Sequence, residues 1–340
     1  MDISIRPLKE SDLLEANRIM RLAYGTFIGR PVAYGTFIGH PDPSNHMGDA
    51  DWMRTRWLAD PTAAFAAECA GELVGSNFAT AWGTVGFVGP LSVRPDLWNR
   101  GIGTRLIEAT IQSLTTWGTK HVGVSAFADS PAHGHLCEKF GFRAQPPSMI
   151  MSKPVNDRTP TSRWPRIPLK SVKERRGASR WSRFSLLSRA DKIKGLESCH
   201  ELTTALYEGL DLRREIRVVD TQNLGDTVLL WNEVDLVGVA LCHSGATTEA
   251  GSNVCYVKFG AIRPGPGARQ NFERLLDACE ALAATLGPQT LVAGTCMGCH
   301  EAYDLMGARG FRTILHNAAM HRPNEPAYNR PGVYIIDAWR

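Results

Sequence analysis

Apolar and polar positions along the first 150 residues fall into blocks that switch between a period of two and a period near 3.6. "ISIRPL" alternates and predicts a strand. In "KESDLLEANRIMRLAYG", Leu13, Ala16, Ile19, Met20 and Ala23 share one helical face, and Ser11 is the expected cap. "DADWMRTRWLA" predicts a second short helix. "AAFAAECA" and "ELVGSNFATAWG" predict a hairpin turning near Ala70-Gly71. "TVGFVGPLSVRP" predicts a further strand, and "GTRLIEATIQSLTTWG" a helix closed by Gly118. "HVGVSAF" predicts a strand, and "AHGHLCEKFGF" a short helix running into a turn.

Residues 155–190 break this rhythm with three prolines, many charges and no sustained period, and they predict a linker. The pattern resumes near 192. "GLESCHELTTALYEGL" predicts a helix, "REIRVVDT" a strand, and "TVLLWN" with "DLVGVALCHS" a hairpin. "NVCYVKFGAIRP" predicts a strand, "QNFERLLDACEALAATLG" a long helix, and "QTLVAGT" a strand. "HEAYDLMGARGF" predicts a helix and turn, and "GVYIIDA" a last strand.

The two blocks superpose in sequence without a gap across their centres. Residues 92–118 fall on 261–287, so that Val93-Arg94-Pro95 meets Ile262-Arg263-Pro264, Arg100 meets Arg269, and Gly118 meets Gly287. "EKFGF" (138–142) falls on "GARGF" (307–311). The expectation is an internal duplication of one α/β unit: 1–154, a basic proline-containing linker 155–191, and 192–340. A length of 340 residues suits two cores.

Charge sharpens this division. Residues 153–194 hold 13 basic and 3 acidic residues, so the remaining chain has 25 against 31. The basic excess is regional. It reads as a solvated linker, with a nucleic-acid footprint as the rival. No window holds the ~18 consecutive apolar residues of a membrane helix. The acid-containing N-terminus has no continuous apolar stretch of a secretion signal. The eight cysteines are expected to be mostly free thiols of a cytoplasmic protein.

Chemistry concentrates in "PLSVRPDLWNRGIGTRL" (90–106). A strand ends, and Arg100-Gly101-Ile102-Gly103-Thr104 opens a helix whose first amides lack partners and whose dipole end is positive. Glycines there admit a pyrophosphate. No Gly-Lys-Ser/Thr follows, and Leu106 stands where a dinucleotide fingerprint needs its third glycine.

The ordered set of "LSV", "RP", "NRGIGTRLIEA", "SPAHGHLCEKFGF" and the opening "ISIRPLKESDL" resembles the GNAT superfamily of acyl-CoA N-acyltransferases, well over 1–150 and more weakly over 192–340. The resemblance implies two copies of a mixed, splayed β-sheet flanked by helices. It implies acetyl-CoA as co-substrate, no metal, and a small-molecule or peptide amine as acceptor. Leu91, Ser92 and Val93 would present backbone groups to the pantetheine and acetyl carbonyl. Asn99, Arg100, Gly101, Ile102, Gly103 and Thr104 would hold the pyrophosphate, and Ser130 would meet the pantetheine arm.

Three departures matter. Trp98 stands where the family favours Gln or Arg. Cys137 stands where a proton-donating tyrosine is usual, so it is either a thiol acid or a small buried apolar residue. No acid lies on 84–93, leaving Glu68, His133 and His135 as base candidates. In the second copy, Gly101 and Gly103 fall on Gln270 and Phe272, which predicts loss of the cradle. The glycines of "RPGPGA" leave a displaced anion site open.

"CMGCH" (296–300) has haem-attachment or half-zinc spacing, but without a second pair it reads as a loop with two thiols. His243 and His300 are placed to reach an interface between the copies. The heptapeptide "AYGTFIG" occurs at 23–29 and 33–39. The first copy is expected to extend the first helix and the second to form a loop at the acceptor mouth.

The leading reading is an N-acetyltransferase. Its rivals are a non-catalytic acyl-CoA-binding or regulatory protein and, more weakly, a nucleic-acid-associated one. Membrane is excluded as a partner, and a homo-oligomer is left open.

Overall fold

The computed structural model describes residues 2–28, 48–128, 130–155, 180–233 and 235–337. The first half contains β1 (Ile3–Pro7), α1 (Leu13–Ile28), α2 (Trp52–Ala59), β2 (Ala64–Cys69), β3 (Glu72–Trp82), β4 (Val85–Val88) and β5 (Ser92–Val93). It continues with α3 (Ile102–Thr116), β6 (His121–Phe127), α4 (Pro131–Lys139), β7 (Arg143–Ala144) and β8 (Ser148–Pro154). The second half holds β9 (Arg180–Arg183), α5 (Arg189–Leu206), α6 (Arg213–Thr221), β10 (Gly225–Trp231), β11 (Leu236–Gly245) and β12 (Gly251–Ile262). It ends with α7 (Ala268–Leu286), β13 (Thr290–Cys296), α8 (His300–Ala308), β14 (Arg312–Arg322) and β15 (Ile335–Ile336).

Local chemistry explains many boundaries. Asp51 caps α2, its Oδ1 accepting the Arg54 amide at 2.9 Å. Ala70 and Gly71 take the positive φ values of a tight hairpin turn. α1 reaches Ile28, so the first heptapeptide copy does extend the helix. The second copy lies outside the described residues, as does 156–179, most of the basic segment.

One predicted strand is a helix. "REIRVVDT" forms α6, because Leu212, Ile216 and Val219 bury at helical spacing and outweigh the β-branched composition. The boundary expected at 191 also moves. β9 begins at Arg180 and pairs with β10, so the second half starts within the stretch read as linker.

The strands form one sheet, ordered β1-β2-β3-β4-β6-β14-β8-β13-β12-β11-β10-β9. The order is a palindrome of the two halves. β4 runs parallel to β6, and β12 runs parallel to β13; those are its two parallel pairings among the described residues. At the centre the halves trade strands. β14 of the second half pairs with β6 of the first, and β8 of the first pairs with β13 of the second. Neither β8 nor β14 stood out in the hydrophobic pattern, and both are needed to join the halves.

The single strand expected over "TVGFVGPLSVRP" arrives as two pieces. β4 pairs with β3 and β6, whereas β5 pairs with β3 alone. Beyond Val88 and Val124 the two parallel neighbours therefore part, and the sheet opens.

Candidate active site

The opening leads into two adjoining spaces. An outer cleft of about 640 Å³ lies over the start of α3. An inner cavity of about 70 Å³ lies deeper, between the parted strands and α1–α2. Tyr24, Leu91, Phe127 and His133 line both. Tyr24, from the first heptapeptide copy, meets Phe127 edge-on at 5.2 Å between ring centroids.

Of the ten residues expected to hold the co-substrate, all except Arg100 line the outer cleft. Arg100 is exposed outside that lining. Gly101 caps α3 with φ +79°, and a Cβ there would meet nothing within 4 Å, so it would project into open cleft space. Asn99 also has positive φ (+62°), which aligns successive amides around the turn. Gly103 has a different reason to be glycine: a Cβ would lie 3.2 Å from the Leu136 side chain of α4. Trp98 Nε1 donates to the Val93 carbonyl at 2.7 Å, tying the turn to β5. Ser130 caps α4, accepting the His133 amide at 3.4 Å.

The catalytic candidates separate. His133 is half-buried at the junction of the two spaces, and burial holds its imidazole below the usual histidine range. It is neutral at pH 7 and can accept a proton. His135 is exposed beside Glu138 at the cleft rim. Glu68, on β2, lines neither space and accepts a 2.7 Å hydrogen bond from Arg6 Nε. Cys137 lines the inner cavity, but burial, helped by Glu138, pushes its thiol up to about 12. A thiol raised this far is a weaker acid than an ordinary one, which ionises near 8.5. Cys137 is 1% exposed and packs in the core beside Val124 and Phe142.

The sequence reading missed Arg56 and Asn317. Arg56 is 5% exposed and lines the inner cavity, its Nη1 donating to the Gly89 carbonyl at 3.1 Å. Its Nε lies 3.2 Å from Glu249 of the second half. Lys258 bridges the same Glu249 at 2.8 Å and Glu215 at 2.7 Å, and Trp82 Nε1 donates to Glu215 at 3.3 Å. Burial would raise the Glu249 carboxyl, but Arg56 and Lys258 overturn it and hold the group below the usual carboxylate range. His243 is buried beside this network at the interface, as its position suggested; His300 instead faces Glu301 at 3.5 Å near the surface. Nothing in the local pattern of "MRTRWLA" marks Arg56, because its partner is almost 200 residues away.

The second half keeps the turn and loses the slot. Gly267 caps α7 with φ +84°, so the counterpart of Gly101 is Gly267 and not Gln270. The gap-free alignment fails here because the turn is shorter and α7 begins earlier. Phe272 lies inside the helix, fully buried against Tyr334, and blocks no cradle. The block is β15. Ile335 and Ile336 pair with Ala261 and Gly260 where β12 leaves β13, and Thr295 Oγ1 donates to the Ile335 carbonyl at 2.9 Å. The C-terminal strand thus fills the space that stands open in the first half.

Cys296 and Cys299 are buried. Cys296 Sγ donates to the Pro146 carbonyl at 3.1 Å, and burial pushes its thiol up to about 11. Among the described residues no group of three or more His, Cys, Asp or Glu is placed to hold a metal ion. No helix among them is long and apolar enough to cross a membrane.

Residues 28–142 match the sequence model of the Acetyltransferase (GNAT) family. Solved structures share the whole fold. A candidate acetyltransferase from Pyrococcus horikoshii is 14% identical, with 99% of this chain and 95% of that one covered at a TM-score of 0.62. A GCN5-related N-acetyltransferase from Sphaerobacter thermophilus is 16% identical, with 94% and 95% covered at 0.59. A tandem GNAT protein from the clavulanic acid biosynthesis pathway is 12% identical, with 94% and 98% covered at 0.50. No curated protein matches the chain in sequence. Residues 28–142 thus resemble the GNAT family in sequence, and the whole chain shares the fold of two-domain GNAT structures.

Proposed function

We propose that the protein is an N-acetyltransferase that moves an acetyl group from acetyl-CoA directly to a primary amine while both are bound. The observation that carries this reading is the continuity of the outer cleft with the inner cavity through the parted strands β4–β5 and β6. The outer cleft suits a pyrophosphate at the Gly101 turn, and the inner cavity suits a small acceptor. Side-by-side placement of the two reactants supplies much of the rate. The amine nitrogen attacks the thioester carbonyl carbon, the C–N bond forms, and the C–S bond breaks. His133, neutral and at the junction, accepts the amine proton directly or through water. The departing thiolate takes a proton from solvent or returns with the one His133 acquired.

Titration calorimetry with acetyl-CoA tests the first half of the reading. Wild type should release heat and Gly101→Trp should not; absence of heat from wild type would sink it. Thiol release in the presence of a primary-amine panel tests the second half. A second reading, an acyl-CoA-binding regulatory protein, is favoured by the high thiol of Cys137. It predicts binding heat without any amine-dependent thiol release.

A further inference from the structure

The inner cavity contains a feature that the acyl-CoA site does not explain. Ser125 and Asn317 line it, and Ser125 Oγ and Asn317 Oδ1 are both buried with no hydrogen-bond partner among the described residues. An unsatisfied buried polar atom costs free energy, so native structures seldom leave one without a reason. Here there are two in one cavity. A third, Ser148 Oγ, lies on the neighbouring strand directly across from Asn317.

The sheet register brings them together. Phe127 on β6 stands opposite Asn317 on β14, and Ser125 stands opposite Ala319. Ser125 and Asn317 are therefore diagonal neighbours on one face, with backbones roughly 7–8 Å apart. The charge of the site points the same way. Among the described residues lining the cavity none is Asp or Glu, and Arg56 lies in the wall. A carboxylate would bind the ammonium form of an amine and hold its proton on. Neutral oxygens in a wall where Arg56 is already paired with Glu249 offer an ammonium no counter-charge and accept N–H bonds from the free base.

We infer that Asn317 of the second half and Ser125 of the first bind the nitrogen of a compact acceptor carrying a single amine, holding it in its neutral, nucleophilic form at the junction with the acyl-CoA cleft. This rests on the acetyl-transfer reading. It gives the strand exchange a function, since β14 delivers a residue that the first half lacks. It also excludes polycationic acceptors, which would need carboxylates in the wall.

The test uses the full chain with acetyl-CoA and three probes: benzylamine, tyramine and spermidine. Wild type should acetylate one of the two monoamines faster than spermidine. Asn317→Leu should raise KM for that monoamine at least tenfold, with the acetyl-CoA Kd and the melting temperature held. Ser125→Ala should raise KM in the same sense by a smaller factor. Asn317→Asp should move the amine-dependent limb of the kcat–pH profile about one unit upward, because a carboxylate favours the ammonium; a purely structural residue would not shift that limb. Unchanged KM in both Asn317→Leu and Ser125→Ala, or a preference for spermidine, overturns this assignment and leaves acetyl transfer standing. Acetyl-CoA binding with no turnover of any amine overturns the transfer reading and this assignment with it.

Discussion

Asn317 stands directly opposite Phe127 in the antiparallel pair β14–β6, so a residue of the second half forms part of the wall of the first half's cavity. The two halves are thus parts of one site. Their separation would leave β6 as an open edge and remove Leu315 and Asn317 from the lining. Expressed alone, residues 1–155 should aggregate or dimerise and should lack transferase activity. Size-exclusion chromatography with an acetyl-CoA turnover assay checks this, and a monomeric, active fragment would contradict it.

The neutral His133 and the high thiol of Cys137 assign them different fates. His133→Ala should lower kcat by ~10²–10⁴-fold with little effect on the acetyl-CoA Kd. Cys137→Ala should leave kcat within about threefold and cost ~1 kcal/mol of stability from lost packing. A large kcat loss in Cys137→Ala would restore the thiol to the mechanism.

The charge network joining the halves is fully buried, so removing one member strands another. Glu249→Gln should destabilise the protein by ~3–5 kcal/mol, because Arg56 and Lys258 then share a dry pocket without their common carboxylate. Urea denaturation measures the change. A loss under ~1 kcal/mol would show that water reaches the pocket.

Stability should fall as the solution turns acidic, beginning near pH 6.5. Burial lowers His243 and His321 to about 4 each, and burial with its neighbour His321 lowers His121 to about 3. The His121 and His321 rings meet at 4.9 Å beside the β6–β14 pairing. Between pH 6.5 and 4 the unfolded chain binds protons at these sites and the native protein does not, so unfolding is favoured as pH drops. Each imidazole can contribute on the order of 3 kcal/mol over that window. The depressed Glu249 extends the loss to lower pH, from about 4.3 downward. Equal urea midpoints at pH 7.5 and 5.0 would refute this.

The C-terminal strand should limit the chain to one acyl-CoA. Calorimetric stoichiometry near one per chain is the expected result. Ile336→Ala, which empties part of the filled slot against Gly260, should cost ~2–5 kcal/mol without adding a second binding event. A stoichiometry of two in wild type would mean that β15 yields to the ligand.

Much of this was legible before any coordinates. The hairpin at Ala70-Gly71, the helix over 102–116 and the turn at Gly101 follow from local chemistry, and the structure keeps them. The duplication was legible too, and it could have corrected one misreading. α6 corresponds to α2, so "REIRVVDT" sits where the first copy already had a helix. The candidate site was half visible: the residues around Gly101 announce themselves by spacing, whereas Glu68 looked available only because Arg6 could not be seen beside it.

By itself the sequence determined the element order, the two-copy plan and the glycine-capped turn, because periodicity and positive φ are properties of a few neighbouring residues. Tertiary structure alone decided the exchange of β8 and β14, the filling of the second slot by Ile335–Ile336, and the meeting of Arg56 with Glu249 and of Ser125 with Asn317. Those relations join residues up to almost 200 positions apart. They depend on which edges and faces complement one another after the elements have formed, and no local pattern records that choice.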